Sequence, residues 1–163
     1  MKVEIVLAAA SLFCAAAPVC AAEPFPRTGE AKLAAYAVCH SLAIVDMGKV
    51  GSQSSAECTG IVKSAAGPSP LDNLAIRCLE ESRARVEGYR FYGTCVEADA
   101  DGDKIYLSYE GPESGPVTLL GGTGKYEGLT GDGEWSVADA PGNTADQFAF
   151  TLSYGVKWSF KPK

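Results

Sequence analysis

A chain of 163 residues, 47% hydrophobic and 21% charged, is long enough for one folded domain with its own core, and this composition excludes wholesale disorder. Its net charge of −6, from 14 basic against 20 acidic residues, excludes a phosphate-tracking surface, so nucleic acid is not expected as a partner.

Lys2 opens a short basic region, residues 5–17 are apolar, and Val19-Cys20-Ala21-Ala22 offers small residues at the cleavage positions. Residues 1–22 therefore read as a signal peptide and 23–163 as a single domain. The apolar run is short for a membrane span and Glu23-Pro24-Phe25-Pro26 follows without stop-transfer charges, so the mature chain is expected to carry no span. Cleavage discards Cys14 and Cys20 and leaves Cys39, Cys58, Cys78 and Cys95. An even count in an exported chain reads as two disulfides, which places the protein in the periplasm or outside the cell. A zinc site would need close cysteine pairs, and no C-x-x-C occurs here, so no metal is expected.

Downstream the dominant hydrophobic period is two, the mark of half-buried strands. The first alternation covers residues 36–44, where Tyr36, Val38, Leu42 and Ile44 share a parity with His40, the only histidine. That apolar face is expected to point inward, which would put His40 and Tyr36 in a lumen as candidate ligand-binding groups. Weaker strands follow near 53–63 and 73–80.

Residues 69–88 carry two conflicting signals. Ser69-Pro70-Leu71-Asp72 resembles a helix start, with Gly88 as a stop. Against this, opposed residues of a hairpin lie symmetrically about its turn. Pairing Cys78 with Cys95 centres a turn on Val86-Glu87-Gly88, and pairing Cys39 with Cys58 centres one on Gly48-Lys49. Both centres fall at glycine, which favours strands and these two bridges.

A strand near 89–97 leads into Asp99-Ala100-Asp101-Gly102-Asp103. Its carboxylates are spaced as in a calcium loop, but Lys104 stands where that loop needs glycine, so a tight turn is the better reading. Residues 105–109 and 116–121 alternate again. Gly121-Gly122-Thr123-Gly124-Lys125-Tyr126-Glu127-Gly128 fits neither the dinucleotide nor the phosphate-loop pattern, so no cofactor is expected. After 133–138 comes the longest alternation, Phe148 to Phe160, with Phe148, Phe150, Leu152 and Tyr154 directed at the core. About eight strands at this spacing predict an all-β antiparallel sandwich or barrel.

The run from Gly93 to Lys104, followed by Gly121 to Gly131, resembles a group of small exported bacterial proteins of unassigned function, similar in turn to the allene oxide cyclase and dirigent-like barrels. The resemblance covers residues 73–137. It implies a calycin-like antiparallel barrel of eight strands, and strand rather than helix around Cys78. No positions match the cyclase catalytic residues, so no catalytic residue is carried over.

Three functions follow as expectations. The first is a non-enzymatic exported barrel holding a small apolar or aromatic molecule, since eight strands enclose just enough room for one. The second is an isomerase or cyclase using His40 or a tyrosine to handle a proton. The third is an envelope interaction protein with a filled core. A lone histidine and the lack of a G-x-S-x-G elbow argue against a catalytic triad.

Overall fold

The computed structural model describes residues 25–144 and 147–161, so the expected signal peptide lies outside the described residues. Eight strands follow in chain order: β1 (Thr28–Asp46), β2 (Gly51–Ser64), β3 (Leu74–Arg85), β4 (Gly88–Ala98), β5 (Lys104–Gly111), β6 (Ser114–Gly122), β7 (Leu129–Asn143) and β8 (Gln147–Phe160). Each pairs antiparallel with the next, and β8 returns to β1, which closes one barrel with no open sheet edge.

Strand alternation sorts the side chains. Leu33, Ala35, Ala37 and Cys39 of β1 point inward, as do Ile105, Leu107 and Tyr109 of β5 and Tyr154, Val156 and Trp158 of β8. At one end the lumen is plugged, with Phe25 against Tyr126 at 5.0 Å and against Trp158 at 5.7 Å between ring centroids. The Trp158 indole donates to the Pro26 carbonyl at 3.1 Å, which fixes the N-terminal segment over this end.

Both bridges form as expected, Cys39–Cys58 and Cys78–Cys95. The four cysteines stand in one row across β1 to β4, because Cys58 also lies opposite Cys78. Antiparallel pairs alternate between close, non-hydrogen-bonded sites and wider, hydrogen-bonded ones. Each bridged pair has its Cα atoms 4.0 Å apart and so occupies a close site. The backbone groups of Cys58 and Cys78 then face each other, which makes the middle pair the wide, hydrogen-bonded one.

The helix-like signal at Ser69 proves to be a local turn. Ser69 Oγ accepts the Leu71 amide at 3.1 Å, and the Asp72 amide reaches the Ser69 carbonyl at 3.2 Å. Asn73, in the left-handed region at φ 61°, then turns the chain into β3. From there the period of two takes over, burying Leu74, Ile76, Cys78, Glu80 and Ser82. The β3–β4 hairpin keeps the expected symmetry, with Arg85 opposite Gly88 across two turn residues.

One expectation is overturned. Up to Ser41 the inward face of β1 is the odd one and the even face is outside, so Tyr36 (51% exposed), Val38 and His40 are exposed. Leu42 and Ile44 lie at and beyond a register shift between Ser41 and Ala43 and are exposed as well. The two faces differ in size rather than polarity. Alanines face inward because large side chains from β5, β7 and β8 already fill the lumen opposite them. Bulkier residues sit outside, where apolar atoms make up about half of any protein surface.

The acidic turn after β4 also finds its physical role. Asp99 Oδ1 accepts the amides of Asp101 and Asp103 at 2.9 and 3.0 Å. The position a cation would take is held by Lys125, whose Nζ lies 2.7 Å from Asp99 and 3.0 Å from Asp101. Burial opposes the Asp99 charge, but Lys125, Tyr126 and the Asp101 amide outweigh it and hold the carboxyl below its usual range. This cluster joins the acidic turn to the glycine-rich β6–β7 turn at the plugged end.

Candidate functional site

The end opposite the plug, where the hairpin turns of β1–β2, β3–β4, β5–β6 and β7–β8 lie, is open. It contains a cavity of about 620 Å³ lined by Tyr89, Phe91, Trp135, Phe148 and Phe150, with Ser54, Ser82 and Glu80 among its polar groups. That volume lies within the ~300–1,000 Å³ of small-molecule pockets. Deeper in, the lumen narrows to a void of about 30 Å³ beside Cys58, Cys78, Cys95 and Glu97, room for little more than a water. The barrel is thus filled below and hollow above.

Two buried carboxyls mark this boundary. Glu80, 5% exposed, sits on the inward parity of β3 and accepts the Tyr109 hydroxyl on Oε2 at 2.6 Å. Tyr109 belongs to β5 and reaches β3 by laying its ring across β4 at Gly93. A side chain there would overlap the ring, so the glycine is what makes this contact possible. The Tyr109 ring packs edge-on against Trp135 at 5.1 Å, and the Trp135 indole donates to the Glu110 carbonyl at 3.0 Å. The tyrosine is therefore held on both sides.

Glu97, 2% exposed, points inward from β4 and accepts the hydroxyl of Tyr154 from β8 at 2.5 Å, a bond that spans the lumen. Burial raises the Glu80 carboxyl above the usual carboxylate range despite the Tyr109 bond. The same effect pushes Glu97 up to about 7 against the Tyr154 bond. Burial also raises both tyrosines, and the neighbouring carboxyls raise them further. The pairs therefore consist of neutral phenols bonded to carboxyls that resist ionising.

His40 and Tyr36 are not brought to this cavity. His40 lies opposite Gln147 on the outer wall, with its Nδ1 3.3 Å from the Gln147 amide nitrogen. Residues that the sequence reading missed are Glu80, Glu97, Tyr109 and Tyr154. The signal for the two acids was present: a bridged cysteine faces the core, so Cys78 fixes the even face of β3 as inward and Cys95 the odd face of β4. Glu80 and Glu97 follow from that parity alone.

No family model matches the chain, and no curated protein matches it in sequence. Solved structures match its fold. The pterocarpan synthase dirigent protein PsPTS1 is 14% identical, covering 85% of this chain and 100% of that one, with a TM-score of 0.52. The pterocarpan synthase dirigent protein GePTS1 is 13% identical over 84% of this chain and 94% of that one, at 0.49. A pyocyanin demethylase is 15% identical over 77% and 99%, at 0.40. At such identities the likeness is one of fold. The disulfide-bridged chain thus has the eight-stranded dirigent-like barrel that its motifs resembled.

Proposed function

We propose that the protein is an exported barrel that binds a small apolar or aromatic molecule in its open mouth, with Glu80 and Tyr109 as the polar anchor at the floor. The observation that carries this reading is the aromatic-walled cavity of about 620 Å³ ending on one buried carboxyl. Such a concave, mostly apolar site with a few convergent polar groups is the usual form of a small-molecule pocket. The two disulfides and the N-terminal segment support an oxidising destination, periplasmic or extracellular.

Native mass spectrometry of protein purified from its own source tests the reading. The expected result is a mass increment that disappears on denaturation, together with Nile red binding that Phe150→Arg abolishes. Empty protein and a dye signal indifferent to Phe150→Arg would refute it. The Glu80–Tyr109 pair also favours a second reading, an isomerase or cyclase in which that pair moves a proton. Recovery of a rearranged rather than an unchanged ligand from the wild type, but not from Tyr109→Phe, would distinguish the two.

A further inference from the structure

The mouth has an unbalanced charge inventory. Its lining contains Glu80 at the floor and Glu113 at the rim, and no Lys, Arg or His among the described residues. The titratable groups that share this lining with Glu80 are Tyr109 from β5, Tyr89 from β4 and Glu113 from the β5–β6 turn. Glu81, Arg83, Tyr92 and Glu110 flank Glu80 and Tyr109 on the outer side of the wall. Glu97 lies deeper and is taken up by Tyr154. Only one of the two Glu80 oxygens is used: Tyr109 bonds Oε2, while Oε1 accepts nothing from the described residues. The nearby serines Ser54 and Ser82 share one hydrogen bond at 2.6 Å, and neither of them bonds Glu80. Glu80 keeps 5% of its surface exposed and Oε1 is not among the fully buried polar atoms without a partner, so this oxygen is the part of the carboxyl still open to an incoming donor.

The walls add a second, independent preference. Tyr89, Phe91, Trp135, Phe148 and Phe150 surround the space, and aromatic faces carry the negative end of a quadrupole that attracts cations. Carboxyl and ring faces thus favour the same charge. An anionic ligand would meet two acids with no counter-charge, and a neutral one would bring none of the counter-charge that an ionised Glu80 needs.

We propose that the ligand of the mouth is an aromatic or apolar molecule bearing a protonated amine, its ammonium donating to Glu80 Oε1 and its apolar body lying against the aromatic wall. This rests on the mouth being a binding site, and it specifies the ligand class for that site. The ammonium supplies the counter-charge that the described lining lacks, which offsets the cost of an ionised, buried Glu80.

Three probes of one shape test it: 1-naphthylmethylamine, 1-naphthalenemethanol and 1-naphthoate, titrated calorimetrically into the oxidised protein at about pH 8, where the amine is protonated. The amine is expected to bind at least ~10-fold tighter than the alcohol, with the carboxylate weakest. In Glu80→Gln, checked by its melting curve, the amine should fall to the level of the alcohol. An alcohol that binds the wild type as tightly as the amine overturns the proposal, and the wild-type ranking decides this even if the variant does not fold. A preference that survives in a folded Glu80→Gln protein overturns it as well. If none of the three probes binds, the mouth itself is not a binding site, whereas binding without preference refutes only the ammonium.

Discussion

Glu97 makes the stability of the barrel depend on pH in a direction opposite to that of most proteins. Its carboxyl titrates near 7 in the folded chain, against 4.5 for the same group in solvent. The folded state therefore binds a proton more tightly than the unfolded one. The stabilisation is fully present below about pH 4.5 and is lost as pH rises through 7. A difference of this size corresponds to about 3 kcal/mol, or a fall in Tm of roughly 10 °C for a domain of this length. Glu80, raised in the same way, adds to the slope. Asp72 and Asp99 are lowered from 3.8 and lose their contribution only as pH falls below that value, so the range above pH ~5 isolates the lumen acids. Melting curves followed by near-ultraviolet circular dichroism from about pH 5 to 8.5 should show Tm falling in the wild type. In Glu97→Gln most of that slope should vanish, and the readout is the slope because the new amide adds a pH-independent offset. A wild-type Tm that is flat over this range, or an unchanged slope in Glu97→Gln, would refute the reasoning.

Three further outcomes are expected. Non-reducing peptide mapping should recover Cys39 with Cys58 and Cys78 with Cys95, and replacing either pair by alanine should cost about 3 kcal/mol in chemical denaturation. Gly93→Ala should displace the Tyr109 ring from Glu80, lowering stability by ~1–3 kcal/mol and changing the near-ultraviolet signal of Trp135; an unaltered spectrum would mean the ring does not need that space. His40→Ala, on the outer wall, should change Tm by no more than the ~0.5 kcal/mol of an ordinary surface substitution and leave Nile red binding intact.

The architecture was largely legible because each level of the sequence agreed with the next. The period of two in β5 and β8 located strands, and the cysteine spacings located two hairpin turns and their registers together. Periodicity did not reveal which face of β1 was inward, because it records contrast, and β1 has almost none: Ala35 and Ala37 alternate with Tyr36 and Val38. Only the parity of Cys39 distinguishes them. The site was hidden for a related reason. Glu80 adjoins Glu81, so by composition it reads as one more surface acid, and its burial depends on a tyrosine from a strand two places away passing over Gly93. Contacts of that kind arise from barrel closure and leave no local trace.

The row of four cysteines also bears on how the chain reaches this closed form. Both bridges tie a strand to its immediate successor, so each can form as soon as its own hairpin has formed, without the rest of the sheet. The seam between β1 and β8 is different: it pairs Thr28 with Ser159, nearly the whole length of the domain, and no covalent link among the described residues supports it. Contacts so distant in sequence carry the largest loop-closure cost and slow folding most. Oxidation therefore pre-assembles the β1–β4 half of the wall as two locked hairpins and leaves closure as the late, slow step. A chain delivered reduced would face that step with both hairpins still free to open, which makes the redox state of the compartment a determinant of folding yield as well as of final stability.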